Sequence, residues 1–242
     1  MALEFAFSSN DNIKQVWVWF PNWSFKAEVF AELASQLPGQ HYWYRWHNTD
    51  SFNEAVNEVC ESLPNNAILI GWSLGGALAE GVAHQHTTPS ALITFATPPK
   101  FCKASQWPYG MPQIRYEGFV SSYNLDPNKA LTRFLSLNVQ GISKPKALIR
   151  LLAHHQLSSS PELGKQLLWF NQYDFTSIKV TNCHCLQLFA DHDALVVAPN
   201  THNQGRYELI NNTCHALFLI NPVLIINKLK NIYTQLKPIP LL

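Results

Sequence analysis

The chain has 242 residues, 47% of them hydrophobic and 14% charged, which excludes a disordered segment and gives ample core for one α/β domain. A formal net charge of +1 exerts no overall pull towards nucleic acid or a membrane surface, so electrostatic recognition must come from a local cluster. Five cysteines, Cys60, Cys102, Cys183, Cys185 and Cys214, form no zinc spacing and leave an odd thiol, which fits a reducing compartment. Cys183-His184-Cys185 falls in a strand-like run whose alternate side chains face opposite ways, so its groups do not converge on a metal. The start, MALEFAFSSNDN, carries Glu4 and Asp11 and lacks a basic segment ahead of an apolar run. No signal peptide is expected, no run approaches membrane-spanning length, and a cytoplasmic location follows as the default.

Val16 to Phe20 reads as a buried strand, and Pro21-Asn22-Trp23-Ser24 follows it as a loop. Ala27, Phe30, Ala31, Ala34 and Leu37 then recur at helical spacing until Pro38-Gly39 stops the pattern. A strand is expected over residues 42–46, and Phe52, Ala55, Val56, Val59 and Leu63 mark a second amphipathic helix. Residues 67–70 give another strand; Leu74, Ala77, Leu78 and Val82 line the helix beyond it, and residues 91–96 form the next strand. This alternation implies a mostly parallel sheet flanked by helices. It fails between about Pro98 and Asn182, where aromatic, proline-rich and helical stretches point to an inserted helical cap. Strand-helix order resumes at residues 183–190 and 207–210, and a helix from about Asn221 closes the chain. The division expected is a core of residues 1–97 and 183–242 with a cap of residues 98–182.

The stretch with the most chemistry is Gly71-Trp72-Ser73-Leu74-Gly75-Gly76, set between a strand and a helix. A strand turning sharply into a helix strains the turn residue and holds the Ser73 hydroxyl out over the sheet edge. The flanking glycines leave room for that bend, and the Leu74 N–H at the helix N-terminus is placed to meet a developing oxyanion.

A serine hydroxyl needs a base, and the base needs a carboxylate, in the chain order serine, acid, histidine. Asp191-His192-Asp193 follows the strand ending at Ala190. Two aspartates compete there; Asp193 is favoured, because Asp191, nearer the strand, can instead fix the turn by bonding backbone N–H groups. Of the histidines, His202 and His215 come after the acid and before the closing helix. His215 is favoured, since its polar loop lies between a strand and a helix, whereas His202 comes too soon after the acid loop. Cys214 beside it has nothing designed to lower its pKa. A second oxyanion donor is expected from the loop after the first buried strand, where the Trp23 N–H would face that of Leu74. Pro21-Asn22 replaces the usual His-Gly there, and Asn22 is expected to adopt the left-handed backbone of the missing glycine.

Residues 129–150 hold Lys129, Arg133, Lys144, Lys146 and Arg150 with no acidic residue. Such a run is either a solvated helix face or, above a hydrolase pocket, a dock for a phosphate and an acidic helix.

These residues together resemble the BioH-type pimeloyl-[acyl-carrier protein] methyl ester esterases of the α/β-hydrolase superfamily. Besides residues 71–76, the resemblance is carried by the segments 23–30, 106–108, 133–137, 193–196 and 215–218. It implies an α/β-hydrolase fold with a cap, the triad Ser73, Asp193 and His215, and oxyanion donors at Trp23 and Leu74. It also implies Trp72 and Phe134 along an acyl channel, and Lys129, Arg133, Lys146 and Arg150 gripping the carrier protein and its phosphopantetheine phosphate. Two of those four are lysine where arginine stands in the family, and Val197 stands where proline often follows the acid loop. The activity implied is cleavage of a pimeloyl methyl ester on acyl-carrier protein in biotin synthesis, by a monomer with no metal or organic cofactor and no nucleic-acid or membrane partner. The competing readings are a small-molecule esterase or thioesterase of the same fold, and a non-catalytic receptor, against which the intact serine, acid and histidine stand.

Overall fold

The structure, a computed structural model, describes residues 2–10, 13–178, 180, 182–199 and 207–236. Its strands are β1 (Leu3–Ser8), β2 (Val16–Phe20), β3 (Gln40–Tyr44), β4 (Ala67–Trp72), β5 (Ala91–Phe95), β6 (His184–Ala190) and β7 (Tyr207–Ile210). They form one sheet in the order β1-β3-β2-β4-β5-β6-β7, in which only the β1 and β3 pair is antiparallel. Every residue of β2, β4 and β5 is buried, as the continuous apolar runs require of central parallel strands covered on both faces. Trp17, Trp19 and Phe20 of β2 are wholly buried, each contributing about 1.5–3 kcal/mol relative to exposure.

The helices are α1 (Ala31–Ala34), α2 (Phe52–Ser62), α3 (Leu74–Gln85), α4 (Gln113–Leu125), α5 (Pro127–Asn138), α6 (Lys146–His155), α7 (Pro161–Leu167), α8 (Leu217–Ile220) and α9 (Pro222–Gln235). α3 packs on β4, β5 and α2, while α1 packs on α9. The expected helix over residues 27–37 is a 3-10 turn, Ala27–Phe30, running into the short α1. The strand expected at 42–46 begins at Gln40, because its parallel register with β2 pairs Val16 with Gln40. Trp46 lies beyond that strand, where its indole N–H donates to the Asn22 carbonyl at 3.1 Å. β1 was not foreseen; it is an edge strand in which Glu4 and Phe5 are exposed, so its alternation is weak. α9 starts as its residues dictate, with Pro222 in the first turn and the Asn221 side chain accepting from Leu224 N at 3.2 Å.

Between β5 and β6 the chain forms α4 to α7. Its ties to the rest of the molecule are specific: Lys26 N to His155 O at 2.8 Å, Leu157 N to Ser24 O at 2.7 Å, and Ala216 N to Asn138 O at 3.2 Å. Trp23 Nε1 donates to Leu163 O at 2.9 Å, and Gln166 Nε2 to His47 O at 2.9 Å. Each tie lands on a segment following the carboxyl end of β2, β3 or β7. The helical segment therefore stands over the sheet edge at which sites of such folds are built.

Candidate active site

β4 delivers Ser73 into a backbone conformation of φ 55°, ψ −117°, a strain costing on the order of 1–3 kcal/mol. The surroundings over-determine it. Ser73 N donates to Phe95 O at 2.9 Å, Ala77 N donates to Ser73 O at 3.0 Å, and Thr97 Oγ1 donates to the same carbonyl at 3.2 Å. A Cβ on Gly71 would overlap the Gly76 backbone, one on Gly75 would overlap the Phe20 and Pro21 carbonyls, and one on Gly76 would overlap Thr97. The bend thus exists because three side chains are missing. Leu74 opens α3, so its N–H is among those that the helix leaves without an intrahelical acceptor.

The loops after β6 and β7 bring acid and base together. Asp193 Oδ2 accepts from His215 Nδ1 at 2.7 Å, with side chains 1% and 0% exposed. Its other oxygen accepts from Leu195 N at 2.8 Å and Val196 N at 3.0 Å. With Nδ1 protonated towards the carboxylate, Nε2 carries the lone pair of a neutral imidazole. That Nε2 is buried and, among the described residues, has no hydrogen-bond partner, so it is not bonded to Ser73 Oγ here. Trp72, the residue before Ser73, donates from Nε1 to His215 O at 3.0 Å.

Asp191 does the other job expected of that pair: Asn212 N reaches its Oδ2 at 2.8 Å and Thr213 N its Oδ1 at 3.0 Å. Partial desolvation acts against ionisation, but these backbone donors outweigh it and lower the Asp191 carboxyl below its ordinary value. Burial pushes the Cys214 thiol up to about 11, which leaves it protonated and inert at neutral pH. His202 lies outside the described residues.

The loop after β2 differs from expectation. Its left-handed residue is Ser24, with φ 64°, and Asn22 is not among the positive-φ positions. Asn22 acts instead through its side chain, whose Oδ1 accepts from Trp23 N at 2.7 Å. Asn22 Nδ2 in turn donates to Asn138 Oδ1 at 3.1 Å. The reason is that Phe25 N closes a turn on Asn22 O at 3.0 Å, and Ser24 inside that turn absorbs the reversal.

A cavity of about 470 Å³ lies under α4 and α5, lined among others by Phe101, Phe119, Phe134 and Leu195, with Arg115 and Arg133 on its wall. A larger, more open groove of about 540 Å³ runs between α4 and α7, but its lining includes no residue of the elbow, acid or base loops. Phe134 thus borders the cavity next to the acid loop. Trp72 does not; it is fully buried, with its ring against Phe25 and Phe218 at 5.1 Å and 5.2 Å. Lys129, Arg133, Lys146 and Arg150 are exposed on α5 and α6, and no described carboxylate pairs with them. Sequence reasoning missed Arg115 and Asn138. A lone arginine in an aromatic stretch and an asparagine at a helix end carry no motif, and only the packing of α4 and α5 gives them a place.

The sheet order and the strand-turn-helix elbow define the α/β-hydrolase fold. An esterase from Exiguobacterium antarcticum superposes with a TM-score of 0.74 over 95% of this chain and 93% of its own, at 19% identity. In sequence, the chain's curated homologues at about 30% identity include proteins named pimeloyl-[acyl-carrier protein] methyl ester esterase. The biotin biosynthesis bifunctional protein BioHC of Saccharophagus degradans is 30% identical over 214 residues, 79% of this chain and 38% of that protein. The pimeloyl-[acyl-carrier protein] methyl ester esterase of Edwardsiella ictaluri is 28% identical over 83% of this chain and 86% of its own. The chain spans about half the length of several other curated relatives it matches. No family model matches it. Among the described residues no helix is long and apolar enough to cross a membrane.

Proposed function

We propose that the chain is a carboxylesterase that cleaves the methyl ester of pimeloyl-[acyl-carrier protein], giving the free carboxylate and methanol. The observation that carries this reading is the buried Asp193 and His215 pair, with Nε2 unpartnered among the described residues and the His215 carbonyl bonded to Trp72, the residue before the strained Ser73 turn. The names of the sequence relatives supply the substrate. Ser73 Oγ attacks the ester carbonyl while His215 Nε2 takes its proton; Asp193 holds the imidazole in that tautomer and stabilises the cation. The tetrahedral oxygen is met by the backbone N–H groups of Trp23 and Leu74. Its collapse expels methanol, protonated by His215, and water then enters by the same base to release the acid.

In this proposal residues 98–182 are a cap. The acyl chain lies along the cavity bordered by Phe134; Trp72, buried off that cavity, backs it only through Phe25, whose ring packs on both Trp72 and Phe134. The carrier protein, acidic and joined to its cargo by a phosphodiester arm, meets Lys129, Arg133, Lys146 and Arg150, with Arg133 where the cavity reaches the surface. The experiment is incubation of the purified protein with pimeloyl-[acyl-carrier protein] methyl ester and mass spectrometry of the carrier. Loss of one methylene unit supports the reading. Hydrolysis of a small p-nitrophenyl ester with none of the carrier-bound ester replaces it with a small-molecule esterase, and hydrolysis of neither leaves a receptor.

A further inference from the structure

Two asparagines, Asn22 and Asn138, are fully buried and bonded to each other between the loop after β2 and the end of α5. The ends of their hydrogen-bond chain are backbone groups, so its direction is determined. At one end the Trp23 N–H can only donate, and it donates to Asn22 Oδ1 at 2.7 Å. At the other the Phe134 carbonyl can only accept, and it accepts from Asn138 Nδ2 at 2.7 Å. Asn22 Nδ2 donating to Asn138 Oδ1 joins the two. Reversing Asn22 would set its NH₂ against the Trp23 N–H, and reversing Asn138 would set its oxygen against the Phe134 carbonyl, so no other assignment satisfies both ends.

We infer that Asn22 masks the Trp23 N–H in the resting site and that Asn138 latches it there, so that substrate must displace a built-in occupant from one oxyanion donor. This rests on the hydrolase reading above. The backbone does not call for asparagine at position 22, since its φ is not positive. Burying two carboxamides is costly unless every group is paired, and apolar side chains could fill the same space without touching the N–H. The single hydrogen on Trp23 N is already used at a short distance, so an ester carbonyl reaching it competes with Asn22. As the carbonyl oxygen becomes an anion the competition tips, because a charged acceptor binds the same donor more strongly than a neutral amide. One hydrogen bond breaks and one forms. The Asn138 main-chain carbonyl accepts from Ala216 N at 3.2 Å, next to His215, and Phe134 and Leu137 of the same helix border the cavity. An acyl chain packed there bears on the helix that holds the latch. Asn22 is a positioning residue in this scheme.

The test measures kcat/KM for a p-nitrophenyl ester and the inhibition constant of an alkyl trifluoromethyl ketone, which forms an oxyanion on the nucleophile, in Asn22→Ala and in the double variant Asn22→Ala with Asn138→Leu. The double variant removes both carboxamides, so that no side-chain amide is left buried without its partner. Unmasking should raise kcat/KM by about two- to tenfold, the worth of one neutral hydrogen bond, and tighten the ketone in proportion. Asn22→Asp, which places a carboxylate on the donor, should lower kcat/KM and weaken the ketone, each by about tenfold or more. A merely structural Asn22 would leave the ketone affinity of folded variants unchanged. That result, or lower kcat/KM in both unmasked variants with native melting curves, overturns the inference. Wild-type turnover abolished by Ser73→Ala keeps the hydrolase reading standing in that event, whereas turnover surviving Ser73→Ala removes the hydrolase reading itself.

Discussion

Asp193 and His215 meet at 2.7 Å in a pair with almost no solvent exposure, and the second Asp193 oxygen is held by two backbone amides. The carboxylate therefore has no freedom to turn away, and the imidazole has one orientation in which Nδ1 is the donor. Both residues come from loops at the carboxyl edge of adjacent strands, β6 and β7, which places them beside each other without either helix or strand being distorted.

Ser73→Ala should abolish ester hydrolysis while the protein remains folded. Losing a triad member typically costs on the order of 10⁴-fold or more in kcat, and the alanine keeps the turn's small volume. Circular dichroism together with p-nitrophenyl ester turnover checks it; substantial activity in the folded variant contradicts the assignment.

Asp193→Asn should lose activity by on the order of 10⁴-fold, because the amide favours the wrong imidazole tautomer. Asp191→Asn should lose little activity and should change acid stability instead. The Asp191 carboxyl is lowered in the folded protein, so its contribution is present above the unfolded carboxylate pKa of about 3.9 and is lost as pH falls through the folded value. The wild type should therefore show a steeper loss of melting temperature below about pH 4 than Asp191→Asn. Equal slopes, or the reverse order of activities at matched stability, would sink the division of labour.

Lys146→Ala with Arg150→Ala, two exposed positions away from the cavity lining, should reduce kcat/KM for the carrier-bound ester and flatten its salt dependence. Hydrolysis of a small ester should change little. Exposed charges act on encounter and are screened as the Debye length falls from about 10 Å at 0.1 M salt to about 3 Å at 1 M. Equal losses with both substrates would make the basic face structural.

Gly75→Ala should destabilise the fold by about 1–3 kcal/mol, since its Cβ meets two backbone carbonyls that cannot give way without moving β2. For a chain of this size each kcal/mol lowers the melting temperature by roughly 2–4 °C. A melting curve unchanged from wild type falsifies the account of the elbow.

The elbow, the central strands and the candidate acid and base were legible in the sequence because their signals are local: alternation of apolar runs, glycines at fixed offsets, polar loops at strand ends. β1 escaped notice because an edge strand with Phe5 and Glu4 exposed lacks a clean period. Asp193 was favoured over Asp191 from the sequence, but the partners that distinguish them, Asn212 and Thr213 for Asp191 and His215 for Asp193, are distant in sequence and come together only in the fold. Asn22 marks the boundary most clearly. Its residue type suggested a left-handed backbone, yet the donor its side chain meets and the amide that holds it there depend on α5 packing over the β2 loop. Local chemistry sets which residues are able to react. Which hydrogen bond each of them makes is set by tertiary packing, because every buried donor must find an acceptor and only the folded chain determines which acceptor is in reach.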